Sequence, residues 1–519
     1  DGSRLKAETN HNEMVFPNLE EGDGIHLIYR LENYGHGKLA QHFWDEFNFN
    51  YFFPVKSCSY TIIAPKELEY QTKIRNINVE VAEVMLDNMK KVSWSASNLA
   101  AFKTEPYMPP LDDIGGILEI TSMPNWNFVA NWYSDLASTK AKAKFEVKET
   151  VAELFKGKTN LSDFEKGKLI YTYIADNFRY SNVPFLHSAL VPQTAARTIS
   201  TRLGDCKDLS TLFVAMCKEV GLRSNLVLVD TRNNGDYDFT LPAIGFNHCI
   251  ARFYAGGKDY YVELTDSKLS FGTLPSNLLG SLALNIPTKT DTSSRDLIRL
   301  SSKNRFPNAI HRDSKVKFES NDMVLERKNF RMGAYASGFR NNYCDIGKEK
   351  QEKQILESVS SDFSNSVKLQ NLSIPDLHNL SDTVTYIYKI KVSNELKEVI
   401  GIKLFKMPWT DAYSGLDFVS ADERKFPFST WQFDGSDELK ESLLIELPAG
   451  KTLAEIPKNV VLNTPFYEYK LTFTVSPGKL SAVRQIKMKQ DRIEPKDYAA
   501  FKDFMVKISE ADNKQIGFK

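Results

Sequence analysis

Alternating and apolar-run segments dominate the first 122 residues. Residues 25–31 and 43–53 alternate or run apolar, 59–65 end on Pro65, and 76–85 alternate again. Period-two patterning of this kind predicts strands. Gly22-Asp23-Gly24 and Tyr34-Gly35-His36-Gly37 mark turns between them. Pro106, Pro109 and Pro110 then bar a helix over 103–110 and predict an extended connector.

The texture changes near residue 124. Trp126, Val129, Trp132, Tyr133 and Leu136 recur at helical spacing, as do Val147, Val151, Leu154 and Phe155. Ser162 and Glu165 form a capping-box pattern ahead of Ile170, Tyr171, Ile174 and Phe178. A further helix follows, in which Leu209, Leu212, Phe213, Met216, Cys217 and Val220 make an apolar stripe that Gly221 closes as a C-cap. Strands are expected at 226–230, 246–254 and 260–265. Helices first and strands later make an α+β plan.

From residue 301 the pattern returns to strands, clearest at 383–392, 399–405, 443–447 and 467–475. Helices are expected at 348–363 and 495–511, the second with Pro495 in its first turn and a stripe of Tyr498, Phe501, Phe504, Met505 and Ile508. A β-sandwich with added helices is the natural expectation there. A chain of 519 residues exceeds one core, so the texture divides it into domains at 1–122, 123–300 and 301–519.

Composition narrows the function. Lys plus Arg and Asp plus Glu stand at 66 each, leaving no excess of positive charge to hold a nucleic-acid backbone. No apolar run approaches the roughly 18 residues of a membrane helix. The cysteines at 58, 206, 217, 249 and 344 are scattered and odd in number, with no CxxC pair. No Walker loop, GxGxxG or HExxH occurs, so no metal or organic cofactor is expected.

The chemistry concentrates at Gly204-Asp205-Cys206-Lys207-Asp208. Cys206 precedes the stripe and therefore lies in the first helical turn, where the helix dipole favours a thiolate. A cysteine nucleophile needs a base, and His248 stands in the downstream strand. The next strand carries Glu263 and Asp266, either of which can orient the imidazole. The turn Ala255-Gly256-Gly257-Lys258-Asp259 would set the two strands side by side. The Cys206 amide is a natural oxyanion donor, and Gln193 is the one upstream side-chain amide to consider with it. Cys217 belongs to the apolar stripe, and Cys249 points to the strand face opposite His248. Trp126 and Trp132 read as packing residues, His187 as a loop residue ahead of the thiol helix, and the lysines of 140–148 as a solvated helix face.

Cys, His and acid in this order resemble the transglutaminase-like superfamily, whose papain-like core uses Cys, His and Asp. Gly-Asp-Cys-Lys-Asp at 204–208, Phe246-Asn247-His248, and the tyrosine-rich strand ending Leu264-Thr265-Asp266 resemble a bacterial branch in which the core lies between two β-rich domains of unknown function. Residues 21–30 and 103–109 resemble the upstream domain, and 492–498 with the final helix resemble the downstream one. The resemblance implies an α+β multidomain fold: a papain-like core between an N-terminal β-sandwich-like domain and a C-terminal β-rich domain. It also implies that the upstream domain begins ahead of residue 1.

Carried over by position, Cys206 matches the nucleophile and His248 the base. Glu263 stands where the family has Asp, two residues before the Thr of that strand, and its extra methylene is expected to hold the imidazole less rigidly. Asp266 is the alternative acid. The implied activity is that of a cysteine protease or amidase, or of transglutaminase-type acyl transfer, on a peptide, protein or peptidoglycan-like amide. The Glu263 departure motivates an alternative, a catalytically degenerate module binding peptide or glycan; a third reading is an assembly role for the flanking β domains in the cell envelope. The resemblance implies a periplasmic or cell-surface location.

Overall fold

The computed structural model describes residues 20–32, 37–181, 190–236, 240–288, 295–300, 307–410 and 415–519. His187 and the turn residues Tyr34 to His36 lie outside them. The chain divides into two units, 1–43 and 44–519. In the first, a 3-10 turn occupies Gly37–Gln41. The strand expected at 25–31 does not form: these residues are exposed and pair with no strand among the described residues. Alternation gives a strand one apolar face but supplies no neighbour for its backbone N–H and C=O groups.

The second unit opens with two three-stranded antiparallel sheets. One orders Trp44–Asn48, Ile117–Thr121 and Gln71–Arg75; the other orders Val55–Pro65, Met89–Leu99 and Glu80–Leu86. Phe47 of the first packs on Tyr60 of the second at 5.4 Å, and Tyr60 on Trp94 at 6.3 Å, so the pair is sandwich-like. The proline-rich connector forms no helix, as expected, but it is not extended throughout. It turns at Pro106 and Tyr107, where Tyr107 has φ 56° and the Met108 amide donates to the Glu105 carbonyl, and it reaches the C-terminal region. Glu105 accepts the Lys425 amide at 2.8 Å and pairs with the buried Arg424 guanidinium at 3.3 Å. Tyr107 lies against Phe428 at 5.3 Å.

A five-stranded antiparallel sheet carries the middle of the chain, in the order Lys258–Val262, His248–Ala255, Ser224–Asp230, Leu282–Asn285, Leu297–Arg299. Helices Trp126–Ser138, Phe145–Phe155, Asp163–Asn177 and Cys206–Glu219 precede or interleave with its strands. Both bonds of the Ser162–Glu165 capping box are made. Gly167 lets its helix approach the sheet: a Cβ there would stand 2.8 Å from the Phe253 ring. The thiol helix is more deeply placed than its stripe indicates. Every residue from Cys206 to Cys217 is buried, because strands pack on one side and the helices Phe145–Phe155, Asp163–Asn177 and Ala195–Thr201 on the other. Of its buried polar residues, Lys207, Asp208 and Ser210 are paired, while the Thr211 hydroxyl has no hydrogen-bond partner among the described residues.

The remaining chain is built on an eight-stranded sheet whose centre is a parallel pair, Ala309–Glu319 beside Glu438–Glu446. Its covered face meets the helices Ala334–Tyr343, Lys348–Ser360 and Tyr498–Asp512. It also meets a small sheet of Lys397–Val399, Ile402–Lys406 and Gln515–Phe518, through Phe318 against Phe405 at 5.0 Å. Helices and this small sheet thus do the covering that the sequence pattern assigned to a second large sheet. One reason is a charged row across that face. Asn329, Arg312, Glu441 and Arg484 stand directly opposite one another on successive strands. Glu441 pairs with Arg484 at 2.7 Å and Arg327 at 3.3 Å, and Asp512 of the final helix pairs with Arg484 at 2.6 Å.

Candidate active site

The segment before the thiol helix is fixed by a short parallel pairing that sets Tyr180 opposite Gly204. Gly204 is needed there, since a Cβ would stand 2.9 Å from the Asp208 Cβ and 3.3 Å from Thr198. Asp205 is the N-cap, and its side chain and that of Asp208 cap each other's backbone amides. Cys206 is therefore the first helical residue, as its position ahead of the stripe requires. Its amide belongs to the turn whose N–H groups have no intrahelical acceptor. The flanking charges are engaged: Lys207 pairs with Asp205, both buried.

Gln193 is directed elsewhere than the oxyanion role expects. Its side-chain amide donates to Asp208 Oδ2 and its backbone N–H to Asp208 Oδ1, both at 2.8 Å. The buried Asp208 carboxylate needs donors beyond its capping bond, and Gln193 provides them.

His248 begins the strand paired with both Ser224–Asp230 and Lys258–Val262. Ala251 faces Val262. Extending that register sets His248 level with Thr265, so Glu263 is its diagonal same-face neighbour. The imidazole Nε2 meets Glu263 Oε2 at 2.6 Å. The other carboxylate oxygen accepts the Thr265 amide and hydroxyl, each at 2.6 Å. Glu263 is 4% exposed, so the longer side chain is pinned at both oxygens, against the expectation of a looser hold. Asp266 falls on the other face and turns away, to Ser337 and to Asn341 at 3.3 Å.

With Nε2 taken by Glu263, Nδ1 is the ring nitrogen left over, and the Cys206 thiol is a near enough neighbour to act on the His248 pKa. Burial lowers the pKa of His248, but the Glu263 charge and the bonds to Cys206 and Glu263 outweigh it and push the value up to about 10. Burial works against the Glu263 carboxylate too; the His248 charge and the bonds from His248 and Thr265 win and hold its pKa below the ordinary value. The pair thus favours imidazolium beside carboxylate.

The other candidates fall where packing places them. Cys249 is buried, its carbonyl accepting Ser210 at 3.2 Å, and Cys217 is fully buried. All five cysteines are free. Trp132 is buried, and Trp126 lies edge-on to Phe246 at 6.0 Å, two residues before His248. One neighbour escaped the sequence reading. Tyr180 is 40% exposed, and burial with the nearby Cys206, Asp205 and Glu263 pushes its pKa up to about 12. Only the pairing of Tyr180 with Gly204 reveals it, and two-residue strands leave no periodic signal.

Replacing Glu263 with glutamine removes the charge and keeps an acceptor. The expected loss in kcat is about 10- to 100-fold, the worth of a charge-assisted hydrogen bond. The alkaline limb of the pH–rate profile should move toward neutrality as His248 loses its carboxylate; an unmoved limb would remove Glu263 from the pair.

The fold and this cluster define a protein built on a papain-like α+β core. Residues 148–264 match the transglutaminase-like superfamily, 13–103 match a domain of unknown function (DUF3857), and 404–518 match another (DUF3858). The chain carries a transglutaminase-like core flanked by those two domains. A crystal structure described as a "putative protease" from Parabacteroides distasonis shares the fold, with a TM-score of 0.58 at 15% identity over 92% of this chain and 75% of its own. A "putative cysteine protease" from Cytophaga hutchinsonii covers 43% of this chain and 78% of its own, at 15% identity and a TM-score of 0.20. No curated protein matches the chain significantly. Among the described residues no helix is long and apolar enough to cross a membrane.

Proposed function

We propose that the chain is a thiol enzyme that cleaves amide bonds of a peptide or protein. Cys206 Sγ attacks the carbonyl carbon with its proton already lodged on His248, as the imidazolium that Glu263 favours. The C–N bond then breaks, and His248 hands that proton to the leaving nitrogen. Water, deprotonated by His248, attacks the acyl-enzyme and releases a carboxylic acid and the free thiol. Glu263 keeps the imidazole oriented throughout and offsets its charge. The Cys206 amide, in the first helical turn, is a natural donor to the developing oxyanion.

The observation that carries this reading is the His248 imidazole bonded to a doubly anchored Glu263, with Cys206 at the first turn of its helix as a neighbour of that ring. An amine replacing water at the second step would give acyl transfer through the same groups. Hydrolysis is preferred because a solved neighbour sharing the fold is described as a "putative protease". The binding-only alternative draws on the Asp-to-Glu change, and a glutamate that still reaches the imidazole weakens its premise.

The test is covalent labelling. A peptide acyloxymethyl ketone should label the parent protein at Cys206 and leave Cys206→Ala unlabelled. Equal labelling of both proteins would sink the nucleophile assignment. With a peptide library as substrate, new carboxyl termini support hydrolysis, and amide products formed only with added amine support transfer.

A further inference from the structure

Away from the thiol helix, three ligand-bearing side chains converge where helix Ala334–Tyr343 ends beside the segment 374–382. Cys344, Asp345 and His378 each offer one donor atom, and these atoms lie within 4.8 Å of one another. Cys344 Sγ is 3.5 Å from His378 Nδ1 and 3.7 Å from Nε2. Zinc bound tetrahedrally, at about 2.3 Å from sulfur and about 2.0 Å from nitrogen, sets those two ligands about 3.5 Å apart. The Sγ–Nδ1 distance meets that requirement, and since Sγ is nearly equidistant from both nitrogens, a turn of the exposed His378 ring aims one lone pair at the metal. The Asp345 side chain is 70% exposed, so its carboxylate is free to turn inward.

A second observation points to a cation at the same place. The Lys268 ammonium stands 3.2 Å from Cys344 Sγ and 3.5 Å from Asp345 Oδ2. Thiol and carboxylate already gather a positive charge between them, supplied by the end of a flexible side chain.

We propose that Cys344, Asp345 and His378 form a zinc site with a fourth position open to water. The donor set of thiolate, imidazole and carboxylate suits zinc among the common divalent ions and is a poor one for magnesium or calcium. On binding, the Cys344 thiol releases its proton to solvent, His378 binds as neutral imidazole, and the thiolate and carboxylate balance the metal's two charges. Lys268 competes for the position and swings out. The site fastens helix Ala334–Tyr343 to the segment carrying His378, beside the contacts of that helix with Asp266 and with the Lys268 carbonyl at 3.1 Å. It is independent of the proposed amide chemistry. Its ligands, an adjacent pair and one distant histidine, make no spaced motif, which is why sequence inspection passes over them.

Cobalt(II) is the probe. It should be titrated into the full chain carrying Cys206→Ala, which removes the thiol of the other Cys–His–Glu cluster. One equivalent should produce a thiolate-to-cobalt charge-transfer band in the near ultraviolet, bleached by added zinc. Cys344→Ser should abolish the band, and His378→Ala, at an exposed position, should weaken binding more than about tenfold. Lys268→Met should tighten it. No band with Cys344 present, or a band that survives Cys344→Ser, would overturn the site; if Cys344→Ser fails to fold, unchanged affinity in His378→Ala does so instead.

Discussion

Substituting His248 with alanine is expected to lower amide turnover by about 10³-fold or more, the scale of losing a triad base. The loss should fall on kcat, since the imidazole moves the proton and need not bind the remote parts of a substrate. The same variant reports on stability. His248 has a folded pKa raised to about 10 against an ordinary 6.5. A raised value means that the folded state holds a proton the unfolded state gives up. That stabilisation is complete below about pH 6.5 and drains away as pH climbs toward 10. Glu263 has a lowered value, so its contribution is present above the ordinary carboxylate pKa of 4.5 and is lost on acidification below it. The parent's Tm should therefore fall steadily from pH 6.5 to 10, and His248→Ala should flatten that fall. An unchanged slope would mean that the ion pair contributes nothing to folding.

The largest effect on stability is expected at a residue far from the thiol. Glu441 is fully buried beneath the eight-stranded sheet and serves Arg484 at 2.7 Å, Arg327 at 3.3 Å and the Thr410 amide at 3.2 Å. Glu441→Ala strips the carboxylate from guanidiniums that are themselves without solvent contact. Breaking one side of a buried ion pair costs about 3–5 kcal/mol. Denaturant unfolding should show that loss, and Glu441→Gln should recover part of it by restoring an acceptor. Loss below about 1 kcal/mol, the level of an exposed pair, would mean the row is not load-sharing. The labelling reagent should still find Cys206 in molecules that remain folded.

How much of this was legible in the residues follows from range. The Ser162 capping box and the first-turn position of Cys206 depend on neighbours three or four residues away, and both form as read. The choice between Glu263 and Asp266 was legible as a matter of parity, because an odd offset sends Asp266 to the opposite face and onward to Ser337. The engagement of Gln193 by Asp208 was not, since it joins a loop to a helix turn through a carboxylate that any nearby donor could have filled. The charged row beneath the large sheet was hidden for a related reason. Arg312, Arg327, Glu441 and Arg484 occupy inward positions of otherwise apolar alternation, and only strand order shows that they meet. The failed strand at 25–31 marks the converse limit, where a sound local pattern met no partner strand among the described residues.

The hold of Glu105 on Arg424 and on the Lys425 amide, 320 positions away, bears on how such chains are inherited. A residue ahead of the core and a residue behind it share one largely buried ion pair, so neither can change sign alone. Gene segments exchanged at the edge of the core would bring in a connector that no longer fits its distant clasp. The three segments should accordingly descend together, with substitutions at 105 and 424 appearing as correlated changes among relatives. A chimera joining this connector to a foreign downstream segment should fold only when an arginine is restored at the position of Arg424.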